Sequence, residues 1–300
     1  MMTPCDWFKF MFSFPRTEPM TKTELLTQYS CLLAYILGGC SLLVAPQLWE
    51  IILQFDLEGR SEGYLRLVGL GLIEIGLILM IAARSNHKMS RHEEILTSVL
   101  GRLLLVVAIL LMMILRDMLP LSFGLFFMVL DSSLAVTTLV IWCRETEGAS
   151  ASSFFREIFA PLLQCRGPKT GGSIMVIFYL GIPQFFFWFV LTVRPDFAQK
   201  MFRLDSFQGY SAGFLAAYFF LLSIHGEYHV VGASNVNHCL SPAFVFHRIL
   251  LNVPVYIVLF VVDQIERNLF IVIVVWDLLY SVGIFIFVSQ EKLLNRVSSV

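Results

Sequence analysis

The sequence predicts an all-α polytopic membrane protein, a helix bundle in which eight transmembrane helices form two parallel four-helix repeats. Of the 300 residues, 57% are hydrophobic and 14% are charged, whereas soluble domains carry about 25% charged residues. The apolar residues are gathered in long stretches, and the rare charged residues recur at a fixed spacing in the two halves of the chain. These observations indicate repeated membrane crossings and an internal duplication.

Eight stretches meet the length requirement for a membrane-spanning helix, which is about 20 residues for a hydrocarbon core of about 30 Å. Runs this long and continuous favour helices over the alternating strands of about ten residues that build membrane barrels. Polar residues near the end of the sixth stretch make it the weakest of the eight. In chain order the predicted spans are Leu26–Pro46, Tyr64–Ala83, Ile95–Leu115, Leu119–Trp142, Ser173–Val193, Tyr210–Val231, Ala243–Val262 and Asn268–Ser289.

The predicted spans divide the chain into two membrane modules joined by a linker. The linker contains glycine, proline and a run of serine and alanine, a composition typical of connections between modules. The predicted segments are a cytoplasmic N-terminal segment over 1–24, a first four-helix module over 25–144, a cytoplasmic linker over 145–171, a second four-helix module over 172–291 and a C-terminal tail over 292–300.

The internal repeat is indicated by charged residues, because leucine matches carry little information in so apolar a chain. An offset of 146 positions aligns three charged pairs, and an offset of 149 aligns Pro46 with Pro195. Since each module has an even number of spans, both modules enter the membrane from the same side, which gives a parallel repeat with a pseudo-two-fold axis along the membrane normal. The charged pairs are Arg102 with Arg248, Asp117 with Asp263, and Asp131 with Asp277.

The orientation of the spans is predicted from lysines and arginines in short loops, which accumulate on the cytoplasmic side. The side that holds both termini carries twelve of these residues, and the opposite side carries six. The chain is therefore predicted to be an integral membrane protein with both termini in the cytoplasm.

Seven charged residues lie inside predicted spans, two of which, Arg66 and Glu227, are near span ends. An ionised side chain at mid-membrane costs about 2.5–3.5 kcal/mol on insertion scales, so it normally faces a partner or a cavity. Arg102 and Asp131 are at similar depths in neighbouring spans, and Arg248 and Asp277 repeat the arrangement, so two intramembrane ion pairs are predicted. Glu74 is a further acid of the first module, which we expect within reach of Arg102. The pairs either fix helix register or form a polar site for a lipid head group, a substrate or a proton.

His225 and His229 are weak candidates for metal or haem ligands. They are four residues apart and share one face of a helix, a spacing at which imidazoles can hold zinc or iron. The segment lacks the HExxH pattern, and the chain has only six histidines. We therefore interpret both as polar residues at the interfacial end of a span, and predict no cofactor and no metal.

One module resembles the small four-helix membrane proteins of the DoxX-like group. The resemblance covers roughly Ala34–Arg144, and in the second module it is limited to Gly209-Tyr210, Arg248 and Asp277. It implies a four-helix membrane fold, present as a tandem duplication with a divergent second copy. The residues that carry it are Gly63-Tyr64-Leu65-Arg66-Leu67, Ala82-Ala83-Arg84, Leu100-Gly101-Arg102-Leu103-Leu104 and Asp131.

The predicted function is a non-enzymatic binding or assembly role for a multi-pass membrane bundle. One alternative is a carrier that moves a small or lipid-like molecule between the two modules. The other is a lipid-modifying enzyme, whose candidate reactive groups are Glu74 alone or the set His225, Glu227 and His229. The expected partners are the bilayer and a lipid or small hydrophobic ligand. The net charge of −1 argues against nucleic acid, and a homo-oligomer is compatible with the sequence.

Overall fold

The described part of the chain is entirely helical between short turns. A computed structural model of the protein describes residues 19–83, 95–150, 152–156, 172–234, 244–245 and 247–297, and no strand occurs among them. The all-α prediction is confirmed for these residues. Residues 1–18, most of the predicted linker, the start of the Ala243–Val262 span and the last three residues of the tail lie outside the described part.

Ten helices of eight or more residues can be followed within the described residues. They are separated by turns, or by the segments that the structure leaves undescribed. In chain order they are α1 Lys22–Val44, α2 Pro46–Leu53, α3 Ser61–Ala83, α4 Ile95–Leu115, α5 Leu121–Glu145, α6 Gly172–Val193, α7 Pro195–Phe202, α8 Ser211–Ser234, α9 Arg248–Val261 and α10 Arg267–Val297.

Six of these helices are long and apolar enough to cross a membrane: α1, α3, α4, α5, α8 and α10. A seventh span results if α6 and α7, which meet at 104°, are counted as one bent crossing. The helix α9 is apolar but shorter, and residues just before it lie outside the described part. The coarse prediction of a multi-pass membrane protein therefore agrees with the described helices.

The helices α3 and α8 form the centre of the bundle. In their most apolar stretches 78% and 89% of the residues are buried, against 22–33% in α1, α4, α5 and α10. The outer helices instead expose large aliphatic side chains, among them Leu33, Val129 and Leu279. An apolar surface of this extent suits contact with lipid acyl chains, whereas α3 and α8 are covered by protein.

Two proline-containing breaks shape one end of the bundle. Ala45, with φ −135° and ψ 62°, separates α1 from α2, and Arg194, with φ −127° and ψ 66°, separates α6 from α7. Pro46 and Pro195 then occupy the first turn of the short helices, where a missing N–H costs no helical hydrogen bond.

The loops that follow α2, α4, α7 and α9 lie at the same end of the bundle. Arg60 ion-pairs with Asp263 at 3.0 Å and with Asp205 at 3.5 Å, which joins three of these loops. At the opposite end, the start of α1 lies next to the end of α5, where the backbone N–H of Thr23 donates to the Glu145 carboxylate at 2.9 Å. Consecutive long helices α3, α4 and α5 therefore run up and down between two common ends.

Glycines allow two very close contacts between the first and second halves of the chain. Gly63 at the start of α3 lies directly against the carbonyl oxygen of Gln264, and Gly213 at the start of α8 lies against that of Met118. A Cβ atom at either glycine would overlap a backbone carbonyl group. Glycine is therefore required at both positions by the approach of a neighbouring backbone.

A second pair of glycines lies nearby, in the turns before α3 and α8. Gly59 and Gly209 have φ of +55° and +49°, a left-handed conformation that favours glycine. A Cβ at Gly59 would lie 3.2 Å from the Cβ of Gln208, and one at Gly209 would lie 3.2 Å from the Cβ of Glu58. The two turns thus pack against each other.

Candidate functional site

The helices α1, α4 and α9 each contain a π-helical turn, and each turn carries at least one buried polar side chain. Such turns are rare, and because they insert a residue they redirect side chains and are frequent at functional sites. They lie at Cys31–Leu37, which contains Tyr35, at Gly101–Val106, which contains Arg102, and at Arg248–Asn252.

The second-half charges form a compact buried cluster. Arg248, only 1% exposed, makes a direct ion pair with Asp277 of α10. Asn252 donates its side-chain N–H to the other oxygen of Asp277 at 2.8 Å, and Gln184 of α6 lies 3.5 Å from the guanidinium. The Tyr280 ring centre is 4.4 Å from the guanidinium carbon. The structure thus brings the predicted partners Arg248 and Asp277 together.

Glu74 joins this second cluster rather than that of Arg102. Its carboxylate is fully buried, and Oε2 lies 3.0 Å from Nδ1 of His225. The expectation that Arg102 reaches Glu74 is wrong, because the face of α3 that carries Glu74 packs against α8 of the other half. Hydropathy could not reveal that direction, since α3 is apolar all round.

The charged residues of the first half, Arg102 and Asp131, are not in direct contact as Arg248 and Asp277 are. Arg102 is 6% exposed and Asp131 is buried, but no direct ion pair joins them among the described contacts. Instead the Tyr35 hydroxyl donates to Asp131, and the guanidinium carbon of Arg102 lies 5.0 Å from the Tyr35 ring centre. Nη2 of Arg102 is buried with no hydrogen-bond partner among the described residues. Tyr35 thus stands between the two predicted partners.

A partly enclosed cavity of about 70 Å³ adjoins this first cluster. At roughly 10–15 Å³ per water-sized sphere, it has space for about five water molecules or a small chemical group. Its apolar lining comes from α3, α4, α5 and α8, and includes Leu72, Phe123 and Phe127. Its polar lining is formed by Tyr35, Thr97, Ser98, Arg102, Asp131, Glu227 and Tyr228. Arg248 and Asp277 do not line it.

Glu227 is the second acid of the cavity and comes from α8, in the second half of the chain. A Cβ built on Gly101 would lie 3.8 Å from its Oε2, so the carboxylate faces the π-helical turn that carries Arg102. Its side chain has no hydrogen bond or ion pair with any described residue. The cavity therefore contains one arginine and two carboxylates drawn from both halves.

The two histidines lie toward the end of the α8 span and are covered by neighbouring helices of the bundle. His225 and His229 are both fully buried on α8. Nδ1 of His229 lies 2.7 Å from the Tyr280 hydroxyl, and its ring stacks on that of Tyr280 at 4.9 Å. Within the described residues no group of three His, Cys, Asp or Glu side chains is placed to hold a metal ion.

Comparisons with protein-family models, with curated proteins and with solved structures gave no match. Functional inference therefore depends on the geometry of the polar clusters and the cavity.

Sequence reasoning missed two residues of the cavity site. Tyr35 carries no distinguishing signal, because a tyrosine in an apolar span resembles the many lipid-facing aromatic residues of the chain. Glu227 was considered only together with His225 and His229, as part of an enzyme hypothesis. A signal was available in each case, since a buried hydroxyl and a buried carboxylate both need partners.

Proposed function

We propose that this protein is a non-enzymatic membrane bundle that binds the polar head of a lipid-like molecule in the Arg102 cavity. The observation that carries the proposal is the cavity itself. Arg102 and Glu227 both line it, and they form no ion pair with each other. A buried guanidinium nitrogen without an acceptor is costly, and a bound polar group would satisfy it. The apolar walls suit the adjoining hydrocarbon of such a ligand.

The proposed architecture is a tandem pair of four-helix modules. Support comes from local conformations that recur at the offsets read from the sequence. Asp117 and Asp263 are 146 positions apart and have φ of 54° and 56°, and Gln54 and Arg203 are 149 apart and have φ of 54° and 53°. Left-handed conformations are uncommon outside glycine, so two matched pairs are informative. The proline breaks and the π-helical turns at Arg102 and Arg248 recur in the same way.

The glycine contacts support a pseudo-two-fold relation between the modules. Gly63 and Gly213 are 150 positions apart, and the carbonyl groups they meet, on Gln264 and Met118, are 146 apart. The contact from first half to second is therefore matched by one from second half to first, as an isologous interface requires. For α3 and α8 these contacts favour an offset of 150 over 146.

The proposed topology has eight crossings, with both modules entering the membrane from the same side. The common end formed by the loops after α2, α4, α7 and α9 supports a parallel arrangement. The excess of lysine and arginine on the side of the termini supports a cytoplasmic location for both.

We also propose that the chain is related to the DoxX-like group. Two of the motif residues that resemble that group, Arg102 and Asp131, line the cavity. We therefore regard the first module as the copy that retains the ancestral polar site, and the second as the divergent copy.

A carrier is the second candidate function, and one observation favours it. The cavity lies between the modules, because Ala217 and Glu227 come from α8 while Arg102 and Asp131 come from the first half. A molecule bound there would be released by a relative movement of the two modules.

The proposed binding is tested by filling the cavity. Ala217→Leu adds side-chain volume at a buried lining position, and Arg102→Gln removes the cation. We expect the wild-type chain to retain a lipid-like molecule through purification, and both variants to lose it by about tenfold, as the loss of a charge-assisted contact implies. Native mass spectrometry and analysis of extracted lipids provide the measurement.

The control for this experiment is Val129→Phe, which also enlarges a side chain by several carbon atoms but lies on the exposed surface of α5. It should leave the retained molecule unchanged. Retention by Ala217→Leu at the wild-type level would contradict the proposal, provided that its thermal unfolding matches that of the wild type.

A further inference from the structure

The charge balance of the cavity restricts the ligand that it accepts. Its described lining has one cation, Arg102, and two acids, Asp131 and Glu227. Asp131 is held close to Arg102 through Tyr35, so these two charges largely offset each other. Glu227 remains as an acid with no described partner. An anionic head group would add a further negative charge beside two carboxylates, which a site of low polarity strongly disfavours.

The two unsatisfied groups of the cavity have complementary requirements. The Glu227 carboxylate needs a hydrogen-bond donor, and a cationic donor would also balance its charge. Nη2 of Arg102, which is a donor itself, needs an acceptor. Glu227 faces Gly101, the neighbour of Arg102 in the chain, so both groups belong to one region of the cavity. A single small head group that carries a donor and an acceptor side by side meets both requirements.

The size of the cavity sets a second limit. A volume of about 70 Å³ accommodates a head group of a few heavy atoms but not a phospholipid head with its glycerol. The remaining hydrocarbon would follow the apolar walls near Phe123 and Phe127 toward the open side.

Building on the proposed function, we infer that the ligand is a single-chain amphiphile with an amino-alcohol head. Its ammonium group donates to the Glu227 carboxylate, and its hydroxyl oxygen accepts from the Arg102 guanidinium. The total charge of the occupied cavity is then zero.

The inference is tested with four ten-carbon probes: a primary amine, an alcohol, a carboxylic acid and a vicinal amino alcohol. Their binding to the purified full-length chain in lipid nanodiscs is measured by calorimetry, with empty nanodiscs to subtract partitioning. We expect the amino alcohol to bind tightest and the amine to bind about tenfold more tightly than the carboxylate, as a charge-assisted hydrogen bond predicts. In Glu227→Gln the preference for amine over carboxylate should disappear.

The matched control is Glu74→Gln, which neutralises a buried acid on α3 that does not line the cavity. It should keep the wild-type order of affinities. Tighter binding of the carboxylate than of the amine by the wild type would overturn the inference while leaving the proposed function in place. Absence of saturable binding for all four probes would overturn the proposed function itself.

Discussion

Arg102 and Arg248 occupy matching positions in two π-helical turns, but they differ in what they touch. Arg248 pairs directly with Asp277, whereas Arg102 reaches Asp131 only across the ring and hydroxyl of Tyr35. A buried ion pair contributes little net stability, but removing one partner leaves an uncompensated charge. The two arginines therefore have different consequences for folding.

At this scale we predict unequal costs for the same substitution. Arg248→Met leaves Asp277 buried without its cation and should lower the free energy of unfolding by about 3–5 kcal/mol. Arg102→Met leaves Asp131 with the Tyr35 hydroxyl and a cavity wall, so a loss of about 1–2 kcal/mol is expected. Denaturant titration in mixed micelles provides the measurement. Equal losses for the two variants would show that Arg102 contributes as much to the stability of the fold as Arg248 does.

Among the elements, the starts of α3 and α8 set how closely the two halves approach. Small residues at helix contacts let backbones come together in membranes, where packing replaces the hydrophobic effect as the driving force. Gly63 and Gly213 serve this role against the carbonyl groups of Gln264 and Met118.

The element-scale prediction concerns these glycines. Gly213→Ala places a methyl group on the Met118 carbonyl and should lower the free energy of unfolding by about 1–3 kcal/mol, the usual cost of overpacking. Gly38→Ala on α1 is the control, because nothing lies within 4 Å of the added Cβ. There we expect a neutral or stabilising effect of up to about 1 kcal/mol, from helix propensity. A Gly213→Ala variant as stable as the control would refute the close crossing.

For the whole molecule, the positions of loops and termini define the topology. The loops bearing Glu58 and Asp205 lie at one end, and the beginning of α1 lies with the end of α5 at the other. In a membrane these two ends would face opposite compartments.

Labelling with a membrane-impermeant thiol reagent tests this topology. In a cysteine-free background, Glu58→Cys and Asp205→Cys should both react from the same side of sealed membrane vesicles. A cysteine added at either terminus should react only from the other side. Reaction of the two loop cysteines from opposite sides would contradict the parallel arrangement and the even number of spans in each module.

The sequence was sufficient for the helical, membrane-spanning character and for the neighbourhood of Arg248 and Asp277. Long apolar runs fix helices, and charges inside them are too costly to be placed at random. The directions of Glu74 and Glu227 could not be predicted, because α3 is apolar on nearly every side and the polar residues of α8 lie on more than one side, so hydropathy gives no preferred face. Tyr35 was hidden for a related reason, since aromatic residues are abundant throughout the spans.

The participation of α8 in a cavity of the first half has a consequence for how such a protein diverges. In a homodimer of single modules, every substitution enters both copies of the site at once. Fusing the copies into one chain removes that constraint, since each arginine can then acquire its own neighbours by independent mutation. On the proposed arrangement, the site at Arg248 has become a direct ion pair with a structural role. The corresponding site at Arg102 is then free to bind a ligand.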